Sequence, residues 1–200
     1  MNAQSYVRSD HPAHSAPPQQ SNWLWMGLLS LVSIAGSAVF ACAATFAAVA
    51  AVAGSQMTKR DALATVFLSW ALNQAVGFGW LNYPQTWDSF AWGAAIGGAA
   101  LISAVVAHAV ANWLNGQPRS VAVACAFLAA FAVFEVGLLA ANTLLPGDWS
   151  VFAPAIVASI FVSNAAALAG LLVLERLSQW LGLIGTIGRR PQGLGPVAKA

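Results

Sequence analysis

Glu135 lies in the run AAFAVFEVGLLAANTLL, Ala129 to Leu145, where no other residue ionises. A carboxyl in such a stretch can bind or move a polar solute or a proton, or it can fasten one helix to another. An acidic residue at the bilayer centre costs about 2.5–3.5 kcal/mol on insertion scales, and less toward the interface, so it calls for a partner. No cationic side chain falls at its depth in any apolar segment, and desolvation favours the neutral acid. The candidate partners carry amides and hydroxyls. Asn142 follows Glu135 at i+7 on the same helical face, Asn73 and Gln74 stand in ALNQAV, and Ser159, Ser163 and Asn164 stand in SIFVSN.

These residue types point to a substrate-binding group of Glu135, Gln74, Asn73, Asn142, Asn164 and Ser163. Amides around one carboxyl suit a neutral or cationic small solute, or a proton-coupled one. The plainer use is fastening, with a protonated Glu135 bonded to Asn or Ser; such interhelical contacts average about 0.6 kcal/mol. His108, Asn112 and Asn115 recur at i, i+4 and i+7. They would line an inner mouth, or form an ordinary polar helix end.

Catalytic signatures are missing. The chain has no H-E-x-x-H, G-x-S-x-G or P-loop, and no acid pair at catalytic spacing. His11 and His14 lie in the polar N-terminal stretch, which leaves His108 alone among the apolar segments, so no metal site is expected. Cys42 and Cys125 form no CxxC and read as buried thiols. Neither an enzyme nor a cofactor is expected.

The elements that must position these residues follow from composition. Of the 200 residues, 59% are hydrophobic and only 7% charged, against about 25% charged in an ordinary globular domain. Lipid must therefore solvate much of the surface. A net charge of +2, with no basic run, argues against a nucleic-acid partner. Five segments are long enough to span: 23–53, 62–81, 90–114, 121–145 and 151–174. The expected fold is an all-α, polytopic transmembrane helical bundle over 23–176. Residues 1–22 form a disordered polar tail. Residues 177–200 form an interfacial stretch, Leu177 to Gly188, and a basic cytoplasmic tail.

Charge sets the expected orientation. Lys59, Arg60, Arg119, Arg176, Arg189, Arg190 and Lys199 fall on one face of five crossings, and Arg8 alone on the other. The positive-inside rule makes that face cytoplasmic, with the N-terminus outside. Trp23, Trp25, Trp80, Trp87, Trp92 and Trp149 gather near the opposite boundary, as an aromatic belt does. The two outer loops share P-x-x-W-x-x-F-A, in Pro84–Trp87–Phe90–Ala91 and Pro146–Trp149–Phe152–Ala153. This suggests a parallel duplication of a helical hairpin, with the first segment an added helix beside a four-helix unit.

Small residues mark expected packing faces: Gly93 and Gly97 in a GxxxG frame, and Ala43, Ala47 and Ala51 at four-residue spacing. Gly77 and Gly79 would either let the second helix bend or let it pack tightly. The sequence thus indicates a multi-pass protein of the plasma (inner) membrane, a small-solute permease or the substrate-binding membrane subunit of a transporter. The alternative is a non-catalytic accessory or assembly subunit of a larger membrane complex. Expected partners are the lipid bilayer, a small-molecule solute, and other membrane subunits or a second copy of the chain.

Overall fold

A helix that is apolar on every side belongs inside a protein or a membrane, and FAAVAAVAG, Phe46 to Gly54, has no polar face. The computed structural model describes Met26, Gly27, Leu29, Ser30 and residues 45–180. In chain order the elements are α1 (Phe46–Gln56), α2 (Lys59–Gly79), α3 (Trp87–Trp113), α4 (Arg119–Leu144), a 3-10 turn (Trp149–Phe152) and α5 (Pro154–Trp180). No strand occurs among the described residues.

Local chemistry explains the helix starts. Thr58 caps α2 by accepting from the Asp61 N–H at 3.2 Å, while its hydroxyl donates to the Asp61 carboxylate at 2.9 Å. Asp61 also sits at the positive end of the α2 dipole. Pro154 opens α5, where its missing N–H is not needed. Asn82, in the α2–α3 loop, takes a left-handed backbone (φ 53°) that its short amide tolerates.

Helices α2 to α5 have 21, 27, 26 and 27 residues and are apolar enough to cross a membrane. At 1.5 Å per residue they reach roughly 32–40 Å, more than the hydrocarbon thickness of about 30 Å. Ile102, Leu128, Val136, Val162 and Val173 point outward from mid-helix, as residues against lipid do. The chain is a membrane-embedded helical bundle.

Helix α1 is its axis. Every residue from Phe46 to Gly54 is buried, and α1 packs against all four long helices. The sequence suggested an added helix beside a four-helix unit; the described part of that segment instead fills the centre. The Ala47–Ala51 stripe is correspondingly not a surface, because Ala48, Val49 and Ala50 between them are just as enclosed. Apart from Met26, Gly27, Leu29 and Ser30, the 23–44 part of the expected span, with Ala43 and Cys42, lies outside the described residues. So do the 1–22 tail and residues 181–200.

Backbones close on one another where a side chain is missing. A Cβ on Gly54 would meet the backbone N of His108 at 2.8 Å, which brings α1 against α3. A Cβ on Gly137 would meet the Ala99 Cβ at 3.0 Å, and this joins α3 to α4. The GxxxG pair works differently from the expected backbone approach. Gly93 and Gly97 make room for side chains of α2, the Gln74 amide and the Trp70 indole, and Trp70 Nε1 donates to Gly93 O at 2.9 Å. Gly77 is a packing site rather than a bend: α2 runs through it unbroken, and the Tyr83 ring covers it.

The hairpins carrying the repeated loop motif are built unequally. In the first, Trp87 begins α3 directly; in the second, Trp149 begins a 3-10 turn before α5. Helix α5 leans mainly on α1, and on α4 through Phe161, whose ring centroid lies 5.5 Å from that of Phe127 and 5.1 Å from that of Phe131. It also continues to Trp180, beyond the expected end at residue 174. The stretch expected to begin an interfacial piece at Leu177 is still helix at its start.

Candidate functional site

The sequence-derived group divides over three helices. Glu135 is half-buried on α4, and its Oε1 is enclosed without a hydrogen-bond partner among the described residues. Asn142, two turns further along α4, is buried, and neither its Nδ2 nor its Oδ1 has a partner among the described residues. A Cβ on Gly147 would run into the Asn142 amide and the Trp92 ring. The loop after α4 is therefore pressed onto Asn142, and Trp92 Nε1 donates to Pro146 O at 2.9 Å to hold it there.

The other four residues lie apart from this face. Asn73 and Gln74 are half-buried on α2, with Gln74 over Gly93 of α3. Helix α3 packs against both α2 and α4 and so connects the two polar places. On α5, Asn164 is buried and donates to the Ile160 carbonyl of its own helix at 3.0 Å. Ser163 is half-buried, while Ser159 faces outward. No hydrogen bond joins Glu135 to any of the other five residues.

The Trp-rich end carries one further polar device. Asp148 accepts from both the N–H and the hydroxyl of Ser150 and so starts the 3-10 turn. Those two bonds hold its carboxyl below the usual carboxylate range.

At the opposite, basic end the structure assembles a cluster that the spacing analysis missed. Glu175 of α5 is completely buried. Arg119 Nη2, at the start of α4, donates to its Oε1 at 2.5 Å. Gln179 Nε2 donates to the same oxygen at 2.9 Å, and Gln56 Nε2, at the end of α1, donates to Oε2 at 2.9 Å. One carboxylate thus ties together α1, α4 and α5. The Arg119 side chain remains 43% exposed.

Beside this cluster is a cavity of about 260 Å³, lined by Ser55, Gln56, Asn115, Gln117 and Arg119, with Ala111 and Ala122 among its apolar walls. Of the expected inner-mouth residues, His108 and Asn112 do not line it. His108 Nδ1 lies 3.0 Å from Gly54 O and, facing a carbonyl, carries the proton. Asn112 is exposed, and Asn115 is the member of that stripe on the cavity wall.

One sequence signal could have found Glu175. The chain contains only two glutamates, and this one sits at i−4 from Gln179 at the end of the apolar run LAGLLVL. No family model matches the chain, and neither a curated protein nor a solved structure matches it.

Proposed function

We propose that the protein is a small-solute permease, or the solute-capturing membrane subunit of a transporter, working through the Glu135–Asn142 face of α4. The observation that carries this reading is the unmet hydrogen bonding there: Glu135 Oε1, Asn142 Nδ2 and Asn142 Oδ1 are all enclosed and unpartnered among the described residues. Leaving such a group unsatisfied costs about 1–3 kcal/mol, which is a large burden for a purely structural helix. A polar solute entering beneath the Pro146–Gly147 loop would satisfy these atoms, and the Trp92–Pro146 bond is the contact that must open to admit it. The amides of Asn73 and Gln74, across α3, would receive it next. The basic end is read as cytoplasmic, in an inner membrane, and the protein as non-catalytic.

The test is native mass spectrometry of the protein released from lipid nanodiscs. A co-purifying small molecule that is lost in both Glu135→Leu and Asn142→Leu, with the fold retained, supports the reading. A ligand-free protein in a stable complex with other membrane subunits overturns it.

That second outcome defines the accessory-subunit reading, which one observation favours. The expected packing faces at Gly93–Gly97 and Ala47–Ala51 are used inside the bundle, but α5 turns Ala155, Ser159, Ala166 and Gly170 outward, with open space at Gly170. Small residues on an outward helix face suit close packing by another membrane helix. Gly170→Leu would then weaken the complex and leave the monomer intact.

A further inference from the structure

We propose that the basic-end cavity is a binding site for a phosphate oxyanion. This site lies at the other end of the bundle from the solute face and does not depend on it. Its wall offers the half-exposed Arg119 guanidinium and the side-chain amides of Asn115 and Gln117, while the Ser55 hydroxyl beside them already donates to Val52 O at 3.0 Å. Arg119 uses only Nη2 toward Glu175, and a guanidinium has five N–H donors, so most of its donors remain available to a ligand.

Glu175 does not spoil the cavity for an anion. Its carboxylate lies behind the guanidinium, is absent from the cavity wall, and has its oxygens engaged by Arg119, Gln56 and Gln179. Its effect is to orient Arg119, because a bidentate-capable fork held along one edge presents the other in a fixed direction. The surrounding field also favours an anion. Lys59, Arg60, Arg119 and Arg176 stand at this end against Asp61 and Glu175, while the other end carries Asp88 and Asp148 with no Lys or Arg among the described residues. The first turn of α4 forms part of the wall, adding the positive end of its dipole.

The geometry selects phosphate over carboxylate. Free donors come from the α3–α4 connection and from α4, and a tetrahedral anion can meet several directions at once where a planar carboxylate offers two oxygens. Depth agrees: Trp113 and Trp180 are both strongly exposed at this end, where indoles mark headgroup level. Basic pockets between spanning helices bind anionic headgroups. The phosphate can belong to a lipid headgroup or to a soluble phosphate ester.

The test titrates the detergent-solubilised full chain with phosphatidylglycerol, with diacylglycerol of the same acyl chains, and with glycerol 3-phosphate. Native mass spectrometry reads the lipids, and calorimetry reads the soluble ester. Phosphatidylglycerol is expected to be retained and diacylglycerol not. Binding of glycerol 3-phosphate as well marks the phosphate ester itself as the ligand; its failure, with phosphatidylglycerol retained, marks a lipid headgroup. Two variants locate the site. Asn115→Leu/Gln117→Leu alters exposed positions, and Arg119→Lys keeps a cation opposite Glu175 but loses the fork. Each is expected to weaken binding about tenfold, the effect of losing a charge-assisted hydrogen bond. The proposal is overturned if neither phosphate probe binds, if diacylglycerol binds equally, or if a folded variant of either kind binds as the natural chain does.

Discussion

The two halves of the Arg119–Glu175 pair sit in different surroundings, and their removal has unequal effects. Glu175 is fully enclosed, whereas the Arg119 side chain is 43% exposed. Arg119→Ala strands a buried carboxylate on two neutral amides and should cost about 3 kcal/mol, the low end for breaking a buried pair. Glu175→Leu leaves an arginine that water can still reach and should cost about 1 kcal/mol; titrated unfolding in mixed micelles would rank the two. At the other end, the Asp148 carboxyl has a lowered pKa in the folded chain because of Ser150. Its contribution to stability is complete above the unfolded pKa, about 4, and is lost as pH falls through the lower folded value. Exchange protection at the Ser150 N–H should therefore hold at neutral pH and drop in strong acid, and Asp148→Asn should remove that dependence.

Among the elements, α1 and α3 meet where Gly54 faces the His108 backbone nitrogen at a would-be Cβ distance of 2.8 Å. Backbone cannot rotate away, so Gly54→Ala should destabilise by about 1–3 kcal/mol, as overpacking does. Gly98 on α3 has nothing within 4 Å of its Cβ position, so Gly98→Ala should instead stabilise by about 0.5–1 kcal/mol through helix propensity. Thermal unfolding of the two variants would show opposite signs. The sequence made the four long helices legible, because each is an apolar run whose polar or charged ends mark the boundary: Lys59 starts α2 and Arg119 starts α4. It also drew attention to Glu135 and Asn142, whose unpartnered atoms are the oddest polar feature of α4. It did not reveal Glu175, because a polar residue near the end of a span reads as an ordinary boundary and two of its three partners lie 56 and 119 positions away. The place of α1 was readable in principle from its lack of any polar face. Its described helix, Phe46–Gln56, takes in the end of the expected 23–53 span.

At the scale of the whole molecule, charge is divided between the two ends: the described lysines and arginines lie at one, Asp88 and Asp148 at the other. If the basic end is cytoplasmic, a cysteine placed at Gln85, exposed in the α2–α3 loop, should react with an impermeant thiol reagent added outside intact cells. One placed at Gly116 should react only after the cells are opened, and the reverse pattern would invert the assigned orientation. The central position of α1 also bears on how the protein is made. Helix α1 has 11 residues, about 16 Å, and emerges from the ribosome before the helices that enclose it. The Gln56–Glu175 bond spans 119 residues; at 5–20 residues per second that is about 6–24 s of synthesis. Throughout that interval the core helix has no finished enclosure, and α5 completes the wall around α1 only when it is translated.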